Sequence, residues 1–232
     1  MELFSPRHLC WLALTGLAVW AAVYSGRLPQ DAAWRRHLHL FLFFSVLFNE
    51  SAWFVYRHTV LLVPLAKNLP LHLCDFSVFM LLLTAFTDKS RPRELLYYAG
   101  VIGALLAVLF PAISERGTIY PVAEVRYFYT HIALIAGGFY FTFGRRRYPD
   151  RAAPLRSFAA VLAFALLITP LNLYLDTNYF FTVSAPKQLA FLQAYPHWLF
   201  CLAVALVFLA ASFLLHSPFG GPVKGKPHQP SP

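Results

Sequence analysis

Residues 70–87 read Pro-Leu-His-Leu-Cys-Asp-Phe-Ser-Val-Phe-Met-Leu-Leu-Leu-Thr-Ala-Phe-Thr. A proline, an imidazole, a thiol and a carboxylate enter together at the head of a run that is otherwise apolar. In hydrocarbon each of those polar groups costs free energy unless it has a partner or a task. The run is one of seven, at roughly 9–25, 37–56, 71–87, 95–112, 127–143, 155–175 and 197–215. A bilayer core of about 30 Å takes about 20 apolar residues per helix. The chain has 232 residues, 59% of them hydrophobic and 12% charged. These observations predict an all-α polytopic membrane protein, a seven-helix bundle over residues 1–216. The tail at 217–232 is rich in Pro, Gly and Lys, lacks apolar periodicity, and is expected to be disordered and cytoplasmic. The first run is the shortest. Its basic leader is thin and Ala-Val-Tyr-Ser-Gly is a poor cleavage site, so it is read as a retained span.

Lys and Arg between the runs set the orientation. Thirteen fall on one set of connections, including Arg27, Lys89, Arg91, Arg93, the Arg145–Arg156 stretch, Lys224 and Lys226; six fall on the other, including Arg7, Arg57, Lys67, Arg116 and Lys187. The N-terminus is therefore expected outside and the C-terminus in the cytoplasm. A basic cytoplasmic face beside anionic lipid accounts for the net charge of +9 without nucleic acid. Cys10, Cys74 and Cys201 lie in apolar surroundings at spacings that suggest neither a disulfide framework nor a zinc site. Neither a metal nor a cofactor is expected.

Polar residues within the runs mark the candidate site. Glu50 stands in the outward part of the second run, after Asn49 and before Arg57. Its functional reading competes with simple pairing to an Arg or His of a neighbouring helix. Pro64 and Pro70 bracket the next connection, and with Pro70 opening the helix, Cys74 falls near its N-terminus, where the macrodipole favours a thiolate. A buried free cysteine is also a common small hydrophobe. His72 and Asp75 are three apart and share a face, so they suit a hydrogen-bonded pair, and a base for Cys74 must come from another helix. His72 reads equally well as an interfacial hydrogen-bonder. Gly100 and Gly103 suit close helix contact. Arg126 precedes the fifth run, in which Tyr127 and His131 share a face at a depth similar to Cys74. Asn172, Asp176 and Tyr179 are spaced four and three apart on one helical face, with Asn178 beside them and Pro170 bending the helix just before.

Glu50, His72, Cys74, Asp75, His131, Asn172, Asp176, Asn178 and Tyr179 all fall in the outer half, whereas the inner half has almost no polar residue within a run. This asymmetry predicts a polar pocket opening toward the external leaflet. A thiol, two histidines, carboxylates and amides are the parts of nucleophilic acyl chemistry. They equally serve a proton-coupled transporter or a ligand-binding heptahelical protein with no covalent step. The first span, Leu9 to Ser25, reads as an anchor.

Three strings carry a family resemblance: Leu69-Pro70-Leu71-His72-Leu73-Cys74-Asp75-Phe76, then Tyr127-Phe128-Tyr129-Thr130-His131, then Asn178-Tyr179-Phe180. Over roughly residues 35–215 the chain resembles the YwaF family of bacterial integral membrane proteins, related to animal transmembrane protein 164. The resemblance implies a heptahelical bundle, in a bacterial cytoplasmic membrane, that transfers an acyl chain between phospholipids without acyl coenzyme A. On that likeness Cys74 matches the acyl-accepting nucleophile and His131 its partner, with His72 part of the motif. The expected partners are a phospholipid donor and a lysophospholipid acceptor. Glu50, Asp75, Arg126, Tyr127, Asn172, Asp176, Asn178 and Tyr179 would line the pocket, with Asn178, Tyr179 or Arg126 stabilising the oxyanion.

Overall fold

The computed structural model describes residues 2–29, 33–113, 117–186, 189 and 194–219. Among them the fold is helical, without strands. Helix α1 spans Pro6–Arg27, α2 Ala33–Thr59, α3 Leu73–Phe86 and α4 Ser90–Leu95. A π-helical turn at Leu96–Gly100 joins α4 to α5, Val101–Leu109, in one rod. Helix α6 is Tyr120–Phe139, prolonged by a second π-helical turn at Tyr140–Gly144; α7 is Ala153–Leu175 and α8 His197–His216. Each of the seven apolar runs coincides with one of these rods.

Four rods are long and apolar enough to cross a membrane: Pro6–Arg27, Ser90–Leu109, Ala153–Leu175 and His197–Phe219. The Ser90–Leu109 rod is 61% buried, against 11–17% for the other three, so it forms the axis of the bundle and the others present apolar faces outward. The inner core lies between α1, α2, α3, α5 and α6 on Val46, Val78, Leu81, Phe128, Leu134 and Ile135. A second core joins Tyr97, Tyr98 and Val101 to Val161 of α7 and Phe208 of α8. Gly100 and Gly103 do face α3, a Cβ on Gly103 falling 3.0 Å from Leu73. A closer approach is Gly26 against Gly144, where an added Cβ would sit 2.7 Å from the opposing Cα.

Local chemistry fixes the helix starts. Ser5 Oγ accepts the His8 N–H at the head of α1, with Pro6 in the first turn, where its missing N–H costs nothing. Helix α3 begins at Leu73 rather than at Pro70. His72 is extended (φ −80°, ψ 167°), and the Asp75 carboxylate reaches back to accept its backbone N–H at 2.9 Å. The expected His72–Asp75 pair therefore forms through the backbone, not the imidazole. With 14 residues, α3 is about 21 Å long. Helix α2, by contrast, runs to Thr59, about 14 Å beyond Glu50 along its axis. Residues 60–72 fold back from that end, so α3 starts at a depth the apolar pattern does not reveal.

Two expectations change. The end of the bundle opposite the N-terminus is not apolar. There Arg156 bridges Glu94 and Asp150 at 2.9 Å each, Tyr98 Oη hydrogen-bonds His216 Nδ1 at 2.8 Å, and Tyr97 Oη donates to the Leu215 carbonyl. Tyrosine and a charged loop end do not interrupt an apolar run, which is why the pattern looked one-sided. In addition, Ser217–Phe219 continue α8 as a 3-10 turn, and Phe219 packs on Tyr97, Phe143 and Tyr148. The rest of the tail, with Lys224 and Lys226, and also Arg116 and Lys187, lie outside the described residues.

Candidate functional site

Cys74 is the second residue of α3. The Leu73, Cys74 and Asp75 N–H groups precede the first helical bond, in which Phe76 N donates to His72 O at 3.0 Å. The sulfur is half-buried against the inner core, beside the Asp75 N–H and within electrostatic reach of Tyr127, Glu50 and Arg126. A thiolate there faces the positive end of the α3 dipole.

His131 is buried, and its Nδ1 lies 2.7 Å from the Tyr127 carbonyl. A carbonyl only accepts, so Nδ1 carries the hydrogen and the neutral ring presents its lone pair at Nε2, the tautomer a general base needs. The Tyr127 ring packs on the imidazole with centroids 4.3 Å apart, and its Oη donates to the Ala107 carbonyl at 3.1 Å. The tyrosine on which His131 packs is thus also within electrostatic reach of Cys74. Among the described residues no hydrogen bond joins Cys74 to His131, and the Cys–His hydrogen bond present is Cys201 to His197 on α8, at 3.4 Å.

Glu50 pairs with Arg126, whose Nη2 donates to Oε2 at 2.8 Å. Thr130 Oγ1 and Asn49 Nδ2 donate to the other carboxylate oxygen, and Asn49 also donates to Thr130 at 2.9 Å. The Arg126 guanidinium covers the Trp53 ring at 4.9 Å. The pair is half-buried, with both side chains about one-fifth exposed. This is the cross-helix pairing open to Glu50 from the sequence, here with two further polar groups that satisfy its lone pairs.

The α7–α8 connection clamps the turn that precedes Cys74. Tyr179 Oη donates to the Ala66 carbonyl at 2.7 Å and accepts from the Leu69 N–H at 2.8 Å; Phe180 N donates to His72 Nδ1 at 3.3 Å. Helix α7 ends at Leu175, and Asp176 turns left-handed (φ 50°) and points to the exterior. Asp176 and Tyr179 therefore do not continue the helical face of Asn172. Instead buried Asn172 gathers the connection: Nδ2 donates to Tyr179 O and Thr182 Oγ1, and Oδ1 accepts from Tyr179 N and Thr177 Oγ1. Asn178 spends its amide on Ser184 and Val183 in the same way. Phe180 and Phe181 hold φ of 59° and 53°, a conformation costly for bulky side chains.

Several participants had no signal in the apolar pattern. Arg57 of α2 lies within electrostatic reach of His72, Asp75 and Tyr179, and its buried Nε has no hydrogen-bond partner among the described residues. The first helix is more than an anchor. Arg7 Nε and Trp11 Nε1 both donate at 2.7 Å to fully buried Glu124, and buried His8 bonds the Val108 carbonyl at 2.8 Å. The one available clue was Tyr120-Pro121, a helix-start signal seven residues ahead of the fifth run. No group of three or more His, Cys, Asp or Glu among the described residues converges as metal ligands would.

No curated protein and no solved structure matches the chain. A family model, the TMEM164 family, matches residues 3–215. That match covers nearly all of the helical bundle, and the chain belongs to the TMEM164 family.

Proposed function

We propose that this protein is a phospholipid acyltransferase that works through a Cys74 thioester. The observation that carries the reading is the His131 tautomer: Nδ1 is tied to the Tyr127 carbonyl, so the free nitrogen is the basic one, and Cys74 lies within electrostatic reach of that same tyrosine. His131 Nε2 takes the thiol proton, and the sulfur attacks the ester carbonyl of a phospholipid. The carbon–oxygen bond to glycerol breaks, and the departing alkoxide of the lysophospholipid recovers the proton from His131. In the second half a lysophospholipid hydroxyl gives its proton to His131 and attacks the thioester, and the released thiolate is reprotonated. The Leu73 and Cys74 N–H groups, which precede the first helical bond of α3, are better oxyanion donors than Asn178 or Tyr179, whose hydrogens are committed to Ser184 and Ala66. His72, Asp75, Asn172, Asn178 and Tyr179 then act by fixing where α3 begins, and Asp176 has no part. Holding the thioester in lipid protects it from water.

In this reading all seven rods span the bilayer, with the N-terminus outside and the basic loops in the cytoplasm, and the chain sits with the YwaF branch in a bacterial cytoplasmic membrane. A second reading, proton-coupled transport without a covalent step, is favoured by one observation: a Glu50–Arg126 pair held by Thr130 and Asn49 inside helices. The two are separated by following transfer of a deuterated acyl chain from phosphatidylcholine to a lysophospholipid in nanodiscs. Cys74→Ala abolishes transfer and His131→Ala lowers it by about 10²–10⁴-fold, while Glu50→Gln leaves transfer in place. Undiminished transfer by Cys74→Ala removes the covalent reading.

A further inference from the structure

A cleft of about 430 Å³ opens on the outer face of the bundle between α2 and α6, lined by Asn49, Pro121, Val122, Val125, Arg126 and Tyr129. Val122 and Val125 are more than half exposed, so the cleft wall faces lipid. Tyr129 closes one side of it through a hydroxyl contact with Ser45 of α2. Arg126 contributes a buried Nε that has no hydrogen-bond partner among the described residues, while its Nη2 holds Glu50 at 2.8 Å. Cys74 does not line this cleft, yet lies within electrostatic reach of both Glu50 and Arg126. The ion pair therefore borders an apolar cleft open to the bilayer and acts electrostatically on the half-buried thiol.

We infer that the Glu50–Arg126 pair is a lateral gate opened by the phosphate of a membrane glycerophospholipid. An acyl chain lies along Val122 and Val125, and the anionic phosphate takes the guanidinium from Glu50 and fills the vacant Nε. Exchange of one anion for another leaves Arg126 paired at every stage, and the released Glu50 carboxylate keeps its hydrogen bonds from Thr130 and Asn49. Arginine also suits bidentate phosphate binding. A neutral lipid of the same shape has no means to displace Glu50. The inference rests on the acyl-transfer reading for its purpose, since the gate admits an ester toward Cys74.

The test is photolabelling of the full chain in nanodiscs by phosphatidylcholine or diacylglycerol carrying the same diazirine acyl chain at low mole fraction, with labelled peptides mapped by mass spectrometry. Phosphatidylcholine labels Pro121–Tyr129 above the lipid-facing surfaces of α1, α7 and α8, and diacylglycerol labels that segment about tenfold less. Glu50→Gln, which loosens the latch, raises phosphatidylcholine labelling by up to about fivefold. Val125→Trp, which fills the cleft from its exposed side, removes the enrichment. Uniform labelling of all lipid-facing helices, equal labelling by the two lipids, or protein–protein crosslinks through the cleft would each overturn the gate. Cys74→Ala keeps the enrichment, so enriched labelling without any acyl adduct on the wild type sinks the transferase and not the gate; an adduct without enrichment does the reverse.

Discussion

Replacing Tyr179 by Phe removes one oxygen and disconnects the two loops that set the position of Cys74. The hydroxyl donates to Ala66 O at 2.7 Å and accepts from Leu69 N at 2.8 Å, and the ring itself is buried. Phe keeps the ring packing, including its edge contact with His72 at 5.3 Å, so the change isolates the two hydrogen bonds. At about 1 kcal/mol net for each, the closed form of the 64–72 turn loses about 2 kcal/mol. That corresponds to about a 30-fold rise in the opening equilibrium. Hydrogen exchange in nanodiscs should therefore show the Leu69 amide exchanging about 30-fold faster. The neighbouring Asn68 amide side chain, which donates to Phe54 O at 2.8 Å on α2, still holds the other edge, so exchange within α2 should not change. Unaltered exchange at Leu69 would show that the α7–α8 connection does not brace the turn, and the role given to Tyr179 would fall.

Three further outcomes follow from the packing. Asn172→Ala strips four hydrogen bonds from a buried side chain and should cost about 2–4 kcal/mol, read as a lowered melting temperature, while exposed Asp176→Asn should leave it unchanged. Gly26→Ala drives a Cβ to 2.7 Å from the Gly144 backbone and should destabilise by about 1–3 kcal/mol; Gly16→Ala, which meets nothing within 4 Å, is the matched neutral control. The Arg156 hydrogen bond holds the loop carboxyl of Asp150 below its ordinary value. Its contribution is therefore complete above the unfolded value near pH 4 and disappears as the pH falls through the folded one. Asp150→Asn should lower the melting temperature at pH 7, with the gap to wild type closing below about pH 4.

Helix positions were readable because unbroken apolar runs have few alternatives in a membrane protein. The run at 155–175 matches Ala153–Leu175, and that at 197–215 matches His197–His216. Starts were less legible where charge sits inside a helix. Helix α6 begins at Tyr120, ahead of Glu124 and Arg126, because each of those residues finds its counter-charge on another helix, Arg7 on α1 and Glu50 on α2. A linear pattern carries no trace of such cross-chain pairing. The prominence of Glu50, Asn172 and Tyr179 was visible from their cost in hydrocarbon, but their tasks were not. Spacing alone put Asp176 and Tyr179 on the helix, whereas the left-handed turn at Asp176 ends it. The polar end around Tyr98 and His216 escaped notice because aromatic hydroxyls sit within apolar runs without breaking them.

The central claim concerns the sulfur of Cys74, and intact-mass spectrometry of the protein incubated with defined phospholipids addresses it most directly. The protein should gain the mass of one acyl chain that hydroxylamine removes, that Cys74→Ala never acquires, and that Cys201→Ala acquires as the wild type does. An adduct that survives in Cys74→Ala, or none on a wild-type protein that transfers acyl chains, would contradict it.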